Sequence, residues 1–599
     1  MSKQGAKKKS TSPGTSLWKF LLVAMVFLVY GSTVKFDFVL DDDLFVRNHP
    51  MVQEGVSAIP SAFSQGSMPH FKGSNFQIYR PAVVAFFTLE HTLFGNKPGG
   101  YHFVNLLLYA LVILACFELI RKLFPTVHPA YAGLGTLLFL VHPVHTEVVA
   151  NIKSQDELLA TLGCLLSLRY AISFWEKPDD KRRLLVSSLA YALALFSKES
   201  AAAFCIVFPL TAFVVRRESW KSSLKRLLPF LGLAMGFVLV RFLVLQDVNQ
   251  SVETTVIENV LYGAQSLSEL TATKAAILFY YWKLLVWPYP LSWDYSFNQI
   301  PLTSWSDAWP WISVVLYVGA MIVAWVVRNR QPASCWGLLF FLVLIVPTSN
   351  IFFLNGTTFA ERFLFLPSLG IIVAALPLIG KKDKVESMAW SGFTALPSIV
   401  VICLCGVFTA MTISRTKDWK DNMTLFASGV LNAPNSSRTQ MGYATELMNK
   451  AEKSMVLQER NEWIAGSREA FRRALEIWPD NAVASYKLGL ISAITGDTVA
   501  AVSNYRRSLK SRPDYVFSLV NLSSIYAARQ QFDSAQFFLE NAFAVDSLNE
   551  MVLTNLAVVN LNRNNHEAVV RLGDVAVRNG KQIPKLEELV RIARSRQQP

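Results

Sequence analysis

The sequence predicts an all-α protein in two parts, a polytopic bundle of membrane-spanning helices followed by a water-soluble array of helical repeats. Hydrophobic residues make up 52% of the 599-residue chain, and the mean hydropathy of +0.32 is too high for a typical soluble protein. Long apolar runs recur along the first 413 residues, as expected for helices that cross a bilayer. Beyond about residue 430 the chain becomes polar and repeats with a period of 34 residues.

The basic residues are better explained by membrane topology than by nucleic-acid binding. The formal net charge is +14, but much of the Lys and Arg lies in short clusters beside apolar runs, where it sets the orientation of the spans. All six cysteines lie in apolar stretches, and none has the spacing of a zinc site. We therefore expect a membrane protein that binds no nucleic acid and packs its cysteines in the core.

The first span is predicted to be an uncleaved signal anchor. Residues 1–16 are rich in Lys and Ser and are expected to be disordered, and the apolar run 17–30 follows them. No small-x-small cleavage site appears before Lys35, which argues against removal of the run as a signal peptide. With the basic segment Lys7 to Lys9 in the cytoplasm, the chain emerges on the opposite side of the membrane.

Ten further spans complete a predicted total of about eleven. They lie near residues 101–121, 130–149, 157–175, 183–197, 200–215, 226–245, 309–328, 334–352, 362–380 and 391–413. Alternating direction then puts the basic loops, the last at Lys381 to Lys384, on the cytoplasmic side. This agreement supports the count, because one missed span would invert the later loops.

Residues 17–414 are predicted to form one membrane domain with two long outer segments, 34–100 and 246–308. Within the first segment, residues 81–94 are amphipathic and bounded by Pro and Gly, which predicts an interfacial helix. The apolar stretch 260–287 is expected to lie in the interface or to re-enter it, because another crossing would break the charge pattern.

The remainder, residues 415–599, is predicted to be a linker and a tetratricopeptide-repeat solenoid on the non-cytoplasmic side. Pro479 and Pro513 are 34 residues apart, and leucines recur at the same interval at Leu488, Leu522 and Leu556. This period, with Pro after the second helix, is typical of tetratricopeptide repeats. Two antiparallel helices cannot bury their apolar faces alone, so stacked neighbours form the core. Another array of helical hairpins is the alternative.

Three consecutive carboxylates follow the first span, at Asp41, Asp42 and Asp43. Adjacent carboxylates raise one another's pKa or bind cations, and one at the mouth of a cavity can accept a proton from an attacking hydroxyl. A solvated acidic turn that caps the following residues is the alternative.

Four more polar clusters fall at the ends of predicted spans on the same side of the membrane. They are His142, His145 and Glu147 with Asp156 shortly after, Lys198 with Glu199, Trp293 with Asp294, and Glu361 with Arg362. Spans of alternating direction bring these loops to one face. Carboxylates, aromatic rings and an arginine able to bind phosphate suit a substrate with an anionic head and a lipid tail, such as a lipid-phosphate sugar.

Each cluster also has a simpler interpretation. The two histidines share a helix face, which leaves a divalent metal open, although buried hydrogen-bonded histidines are commoner. The pair Lys198–Glu199 is alternatively a salt bridge at a helix end. The aromatic residues around Trp293 are alternatively an interface belt.

In the order and spacing of its motifs, the chain resembles the transmembrane and tetratricopeptide-repeat-containing O-mannosyltransferases, members of the GT-C class of integral-membrane glycosyltransferases. The resemblance runs along nearly the whole chain. Besides the acidic segment, its motifs are Tyr79-Arg80-Pro81, Gly99-Gly100-Tyr101-His102, His142-Pro143-x-His145-Thr146-Glu147, Lys198-Glu199, Leu291-Ser292-Trp293-Asp294-Tyr295, Glu361-Arg362-x-Leu364 and Asp418-Trp419.

The resemblance implies transfer of a sugar, mannose in the eukaryotic members, from a polyprenyl phosphate to Ser or Thr of a secretory protein. It implies an outer-loop Asp as general base, placed here first on Asp42, with Asp41 and Asp43 as alternatives. Binding of the donor phosphate and sugar would fall to Arg80 and the four polar clusters, with Lys198 or Arg362 stabilising the leaving phosphate. No metal or other cofactor is predicted. The expected partners are the lipid bilayer, the donor lipid and a polypeptide.

Two rival functions remain. One is a transferase for another sugar or for a glycolipid acceptor, and the other is a non-catalytic membrane scaffold whose repeats recruit a partner. The compact loops and the single short repeat array favour a bacterial inner membrane with the repeats in the periplasm. The endoplasmic reticulum membrane, with the repeats in the lumen, is the alternative.

Overall fold

The computed structural model describes residues 13–68, 78–246, 256–379 and 396–597. Within these ranges the regular structure is entirely helical, which confirms the predicted fold class. The chain divides into two compact units, Met1–Ala433 and Pro434–Pro599. Two of the basic segments used to orient the spans, Lys7 to Lys9 and Lys381 to Lys384, lie outside the described residues, as does most of the N-terminal segment expected to be disordered.

The first unit is a helical bundle. Its α-helices in the described residues are α1 Pro13–Tyr30, α2 Pro50–Gln53, α3 Ile59–Ser64, α4 Pro81–Phe94, α5 Pro98–Leu123, α6 Pro129–Leu140, α7 Thr146–Ala150, α8 Gln155–Glu176, α9 Lys181–Ser197, α10 Val207–Val214, α11 Trp220–Leu245, α12 Leu267–Val286, α13 Ala308–Val327, α14 Pro332–Ile345, α15 Phe365–Ile379, α16 Leu396–Thr416 and α17 Asn422–Asn432.

Seven helical stretches of the described chain are long and apolar enough to cross a membrane, and they contain α1, α5, α8, α11, α13, α15 and α16. An eighth crossing results if α6 and the adjoining segment Pro143–Ala150, which meet at a bend of 56°, form one broken span. These eight agree with eight of the predicted spans.

The other three predicted spans correspond to shorter helices. The first is α9, which ends at Ser197 because Lys198 is extended, with φ −156°. The second is the apolar segment Glu199–Val214, which begins as a 3₁₀ helix, and the third is Pro332–Thr348, which begins at a proline. These segments of 16 or 17 residues lie at the lower limit of the length that crosses a bilayer.

Glycines let two helix pairs of the bundle approach closely. A Cβ placed on Gly163 of α8 would lie 2.5 Å from the carbonyl oxygen of Ala190 on α9. On α14 and α15, a Cβ on Gly337 would collide with the backbone at Gly370. Small residues at such crossings replace the hydrophobic effect as a source of helix packing in membranes. The second pair fixes the start of α15, where Glu361 and Arg362 lie.

The helix predicted at residues 81–94 is present with the same bounds. Proline at its first position suits a helix start, and Gly95, with φ +58°, ends it. The stretch predicted at the interface, 260–287, contains a 3₁₀ turn at Val260–Gly263 followed by α12.

The second unit is an array of paired helices. They are α18 Ser437–Lys453, α19 Leu457–Ile477, α20 Ala482–Ile494, α21 Thr498–Ser511, α22 Val516–Ala528, α23 Phe532–Val545, α24 Glu550–Asn562, α25 His566–Arg578 and α26 Pro584–Gln597. The three leucines spaced by 34 residues, Leu488, Leu522 and Leu556, are buried on the first helix of successive pairs. This placement confirms the predicted repeat.

The predicted linker contains a helix that is part of the first unit. Asn422, the first residue of α17, accepts at Oδ1 a hydrogen bond from the Leu40 N–H at 2.8 Å. Leu425 packs in a cluster with Phe36, Val39 and Trp419. Helix α17 thus covers the acidic turn that follows α1.

Candidate active site

The acidic turn after α1 surrounds its middle carboxylate with backbone donors. The side chain of Asp42 is fully buried. The Val39 N–H donates to Asp42 Oδ2 at 3.0 Å, and the Lys153 N–H donates to Asp42 Oδ1 at 2.7 Å. Asp42 therefore ties the turn to the segment that leads into α8.

Burial raises the pKa of Asp42 from 3.8 to about 7, although the two N–H donors oppose this effect. The charges of Asp41 and Asp43 raise it further. A pKa near neutrality is suited to a general base. In this conformation, however, each oxygen of Asp42 already accepts a backbone hydrogen bond, and neither is exposed to a substrate.

The flanking aspartates are more open. Asp43 Oδ1 accepts a hydrogen bond from Arg47 Nη1 at 3.2 Å on the protein surface. The carboxylate of Asp41 is partly buried and has no hydrogen-bond or ion-pair partner among the described residues. Its charge interacts with that of Arg362. Of the three carboxylates, Asp41 is the one left available to a substrate hydroxyl.

Three cations surround Asp156 at the start of α8. Arg80 Nη1 lies 2.6 Å from Asp156 Oδ2, and Lys198 Nζ lies 3.4 Å from Asp156 Oδ1. Lys153 Nζ lies 3.6 Å from Asp156 Oδ2. Asp156 is buried, so its charge requires such partners.

The same cations hold two further carboxylates. Arg80 binds Glu199 through both Nε and Nη2, at 2.9 and 2.6 Å. Lys198 Nζ lies 2.7 Å from Glu157 Oε1. These side chains meet because each lies at the end of a helix: Arg80 precedes α4, the pair Lys198–Glu199 follows α9, and Glu157 is in the first turn of α8. Arg80 and Lys198 are each neutralised by two carboxylates.

Arg362 is neutralised less completely. Its Nη1 lies 2.5 Å from Glu147 Oε1, and its backbone N–H donates to Glu147 Oε2 at 3.1 Å. The Arg362 side chain is 26% exposed, whereas those of Arg80 and Lys198 are 13% and 7% exposed. One carboxylate and greater exposure leave Arg362 the most available of these cations for an anionic ligand.

A small groove beside Arg362 has both polar and apolar lining. Arg362 and Glu157 are its charged residues, and Thr161, Ser200 and Thr348 add hydroxyl groups. The apolar lining comes from α8, α14, α15 and the segment between α9 and α10, and includes Ala160, Cys164, Phe204, Leu344 and Leu366. The groove's volume of about 40 Å³ admits an anionic group and a few adjoining atoms, not a whole hydrocarbon chain.

Glu361 fastens the loop after α12 to the start of α15. Its Oε1 accepts hydrogen bonds from the Ser292 N–H at 2.6 Å and from the Tyr295 hydroxyl at 2.7 Å. Arg415 of α16 has Nη2 4.0 Å from the same oxygen and Nη1 2.9 Å from Asp418. Glu361 Oε1 is therefore satisfied by protein groups, whereas the buried Oε2 has no hydrogen-bond partner among the described residues.

Trp293 and Asp294 are also engaged within the protein. Trp293 is 8% exposed, and its ring centroid lies 5.2 Å from that of Phe426 on α17. Asp294 accepts hydrogen bonds from the N–H and the hydroxyl of Ser296, at 2.8 and 2.7 Å. In this conformation neither side chain presents a free surface for a sugar.

The two histidines lie in the bend of the broken span. His142 Nε2 is 3.1 Å from the Leu285 carbonyl oxygen, and His145 Nε2 is 3.0 Å from Ser368 Oγ. The His145 ring packs against Phe139 with a centroid distance of 4.4 Å. No three His, Cys, Asp or Glu side chains converge as metal ligands in the described part of the chain. The histidines have the contacts of packed core residues.

The structure thus connects most of the predicted site residues through one set of interactions. Counted by contacts and charge interactions, this set contains Asp41, Asp42, Asp43, Arg80, Glu147, Asp156, Lys198, Glu199, Glu361 and Arg362, whereas His142, His145, Trp293 and Asp294 lie outside it. The sequence placed Lys153 and Glu157 in the run around Asp156 but assigned them no role, and sequence reasoning missed Arg415. Arg415 lies just past an apolar run, among other cations.

The chain is similar to a known protein family and to several known proteins. Residues 80–244 match the family model described as dolichyl-phosphate-mannose-protein mannosyltransferase. Protein O-mannosyl-transferase F38B6.6 of Caenorhabditis elegans is 29% identical over 70% of this chain and 58% of its own length. Human protein O-mannosyl-transferase TMTC1 is 26% identical over 80% of this chain and 57% of its own, and human TMTC4 is 25% identical over 74% and 65%. The chain thus spans little more than half the length of the first two relatives.

Solved structures give only weak similarities. The mycobacterial arabinofuranosyltransferase AftD aligns with 68% of this chain and 28% of its own, with 16% identity and a TM-score of 0.34. The Cut9–Hcn1 complex aligns with 86% of this chain and 92% of its own, with 13% identity and a TM-score of 0.26.

Proposed function

Because this chain belongs to the family of transmembrane and tetratricopeptide-repeat-containing O-mannosyltransferases, we propose that it transfers mannose or a similar sugar from a polyprenyl phosphate to Ser or Thr of a polypeptide. The observation that carries the proposal is the Asp41 carboxylate, which has no hydrogen-bond or ion-pair partner among the described residues and whose charge interacts with that of Arg362 beside the small groove. A base and a cation that can bind phosphate are two elements that this reaction needs.

The donor fits this groove in one orientation. Its phosphate lies against Arg362, which has an edge not used by Glu147, and only the first carbons of its lipid chain meet the apolar lining. The guanidinium can donate two parallel hydrogen bonds to phosphate oxygens. The role of Arg80 and Lys198 is then to hold the loops in place, because their charges are already paired.

The reaction is a displacement at the anomeric carbon. Asp41 takes the proton of the acceptor hydroxyl as the new carbon–oxygen bond forms on the face opposite the phosphate, which inverts the anomeric configuration. The bond from the anomeric carbon to the phosphate oxygen breaks, and the polyprenyl phosphate leaves with its additional negative charge stabilised by Arg362. Asp41 is preferred here over Asp42, the first choice from the sequence, because both Asp42 oxygens accept backbone hydrogen bonds.

The proposed location is the non-cytoplasmic face of the membrane. The acidic turn, the groove and the second unit would all lie on that side, in a bacterial periplasm or in the lumen of the endoplasmic reticulum. No metal is needed for the reaction as proposed, because Arg362 stabilises the departing phosphate.

The test is transfer from a radiolabelled polyprenyl-phosphate mannose to an acceptor polypeptide by the purified full chain. We expect Asp41→Asn to lower the rate by at least about 100-fold, the contribution typical of a general base, without lowering the thermal stability. Asp43→Asn, whose carboxylate binds only Arg47, is the matched control and should retain activity.

Three outcomes would contradict this proposal. Full activity of Asp41→Asn would remove Asp41 as the base. Transfer to a lipid but not to Ser or Thr would support the glycolipid alternative, and absence of transfer with any donor, together with tight binding of a partner protein, would support the scaffold.

A further inference from the structure

A cleft of about 710 Å³ lies entirely within the second unit. Three successive helices, α19, α20 and α21, line it. Its volume is in the range of cavities that bind small ligands or a few residues of a peptide. The proposed transfer reaction does not use it.

Three arginines give the cleft its charge. Arg468 and Arg472 are one turn apart on α19, and Arg507 extends from α21. Arg468 Nη2 donates to Thr495 Oγ1 at 3.0 Å, and Arg507 Nη2 donates to the Pro479 carbonyl oxygen at 3.0 Å. Both guanidiniums are therefore held in position by neutral acceptors that leave their charge uncompensated.

The third arginine has no partner. Arg472 is exposed and makes no hydrogen bond or ion pair with any described residue. It lines the same cleft as the two oriented cations, so an anion in the cleft would have three guanidiniums around it. Arginine suits such a site because its planar donors match both oxygens of a carboxylate.

The two acidic residues of the lining do not neutralise these cations. Glu476 forms an ion pair with Arg473, at 2.7 Å, and Arg473 lies outside the cleft. Asp497 accepts a hydrogen bond from the Ala500 N–H as the N-cap of α21. The cleft thus keeps a net positive character.

The remaining lining is suited to a polypeptide. Leu475 and Leu488 contribute small apolar areas, and Asn504 offers an amide that can pair with a peptide backbone. A phosphate headgroup would need the cations alone and would gain nothing from the apolar residues. An extended chain with carboxylates at intervals would use both.

We infer that this cleft binds an acidic extended segment of a partner protein, with carboxylates on Arg468, Arg472 and Arg507. The site is separate from the proposed transfer centre and does not depend on it. A variant can therefore lose peptide binding and keep sugar transfer, or lose sugar transfer and keep peptide binding.

The test is fluorescence anisotropy with the full chain in nanodiscs of neutral lipid. The probe is a labelled ten-residue peptide of alternating Glu and Leu, and its matched peptide has Gln in place of Glu. We expect the Glu peptide to bind at least ten times more tightly, with an affinity that falls as salt rises. Arg472→Ala should weaken binding at least fivefold, and Arg468→Ala combined with it should weaken binding further.

The control variant is Arg578→Ala, an exposed arginine at the end of α25 that does not line the cleft. It should leave the affinity unchanged. Because Arg472 is exposed and unpaired, its replacement should leave thermal unfolding unchanged, so lost binding would not reflect lost folding.

Three results would overturn the inference. The first is equal binding of the Glu and Gln peptides, and the second is unchanged affinity in the Arg468→Ala, Arg472→Ala double variant. The third is displacement of the Glu peptide by glycerol phosphate when free glutamate, added to the same total negative charge, has no effect. The last result would assign the cleft to phosphate.

Discussion

The three consecutive aspartates differ in what surrounds each carboxylate. Asp43 meets an arginine at the surface, Asp42 accepts two backbone hydrogen bonds, and Asp41 has no partner among the described residues. Sequence chemistry identified the group of three but not the member best placed to act. Burial and hydrogen bonding separate them, and both depend on contacts with Lys153, which is more than a hundred residues away in the chain.

Replacing Asp42 with Asn should destabilise the protein. The amide of Asn would face one of the two backbone N–H groups with another donor, and an unsatisfied buried donor costs about 1–3 kcal/mol. We expect a lower midpoint in thermal unfolding of the detergent-solubilised chain. A variant as stable as the wild type would show that the carboxylate does not hold this turn.

The stability difference between wild type and Asp42→Asn should also depend on pH. The folded-state pKa of about 7 exceeds the unfolded value near 3.8, so the proton favours the folded state. The contribution of Asp42 to the free energy of unfolding is complete below pH 3.8, declines as the pH rises to 7, and changes no further above pH 7. Thermal unfolding of both proteins between pH 5 and pH 8 measures this, and a constant difference would contradict it.

At the scale of elements, the helix at 81–94 was predictable because local chemistry defines both of its ends. Proline begins it and a glycine with positive φ ends it. The ends of the short helices α9 and α14 could not be predicted from the sequence, because apolar composition does not reveal where a helix stops. The pair Lys198–Glu199 follows α9, and these two side chains contact Asp156 and Arg80, which only the folded bundle brings near them.

The crossing of α14 and α15 should tolerate no side chain larger than hydrogen. A Cβ on Gly370 would lie 2.5 Å from the Gly337 carbonyl oxygen and 2.8 Å from the Phe341 nitrogen, both rigid backbone atoms. We expect Gly370→Ala to cost about 1–3 kcal/mol, the range for overpacking, and to reduce transfer through displacement of Arg362. Thermal unfolding and the transfer assay test both parts.

The matched control lies on α13. A Cβ on Gly319 meets no atom within 4 Å, so Gly319→Ala should be neutral or slightly stabilising because alanine favours a helix. If Gly370→Ala and Gly319→Ala lost equal stability, the loss would come from replacing a glycine within a helix and not from the close approach of α14 and α15.

For the whole molecule, hydropathy and a 34-residue spacing were sufficient to predict a membrane bundle followed by a repeat array. Both signals are local and repeated many times along the chain, so individual errors do not change the result. The ion pairs of the site were not predictable in this way. Arg80 and Glu199 are 119 residues apart, and no periodicity relates them.

The arrangement of the whole chain about the membrane gives a further prediction. In a Cys403→Ser background, Arg47→Cys and Met455→Cys should both react with an impermeant maleimide from the non-cytoplasmic side, since both positions are exposed. Asp179→Cys, in a loop predicted to be cytoplasmic, should react only after permeabilisation. Reaction of positions 47 and 455 from opposite sides would exclude the proposed topology.

The paired charges around Asp156 have a consequence for biogenesis. Their partners are synthesised at different moments, since α4, α8 and the segment after α9 follow one another along the chain. A nascent chain that contains Arg80 but not Glu199 leaves the guanidinium without one of its two carboxylates, and a largely buried charge without its partners is costly. We therefore expect the chain to leave the insertion machinery only after the ion pairs around Asp156 are complete. Chains truncated before Glu199 should be retained by membrane chaperones and degraded.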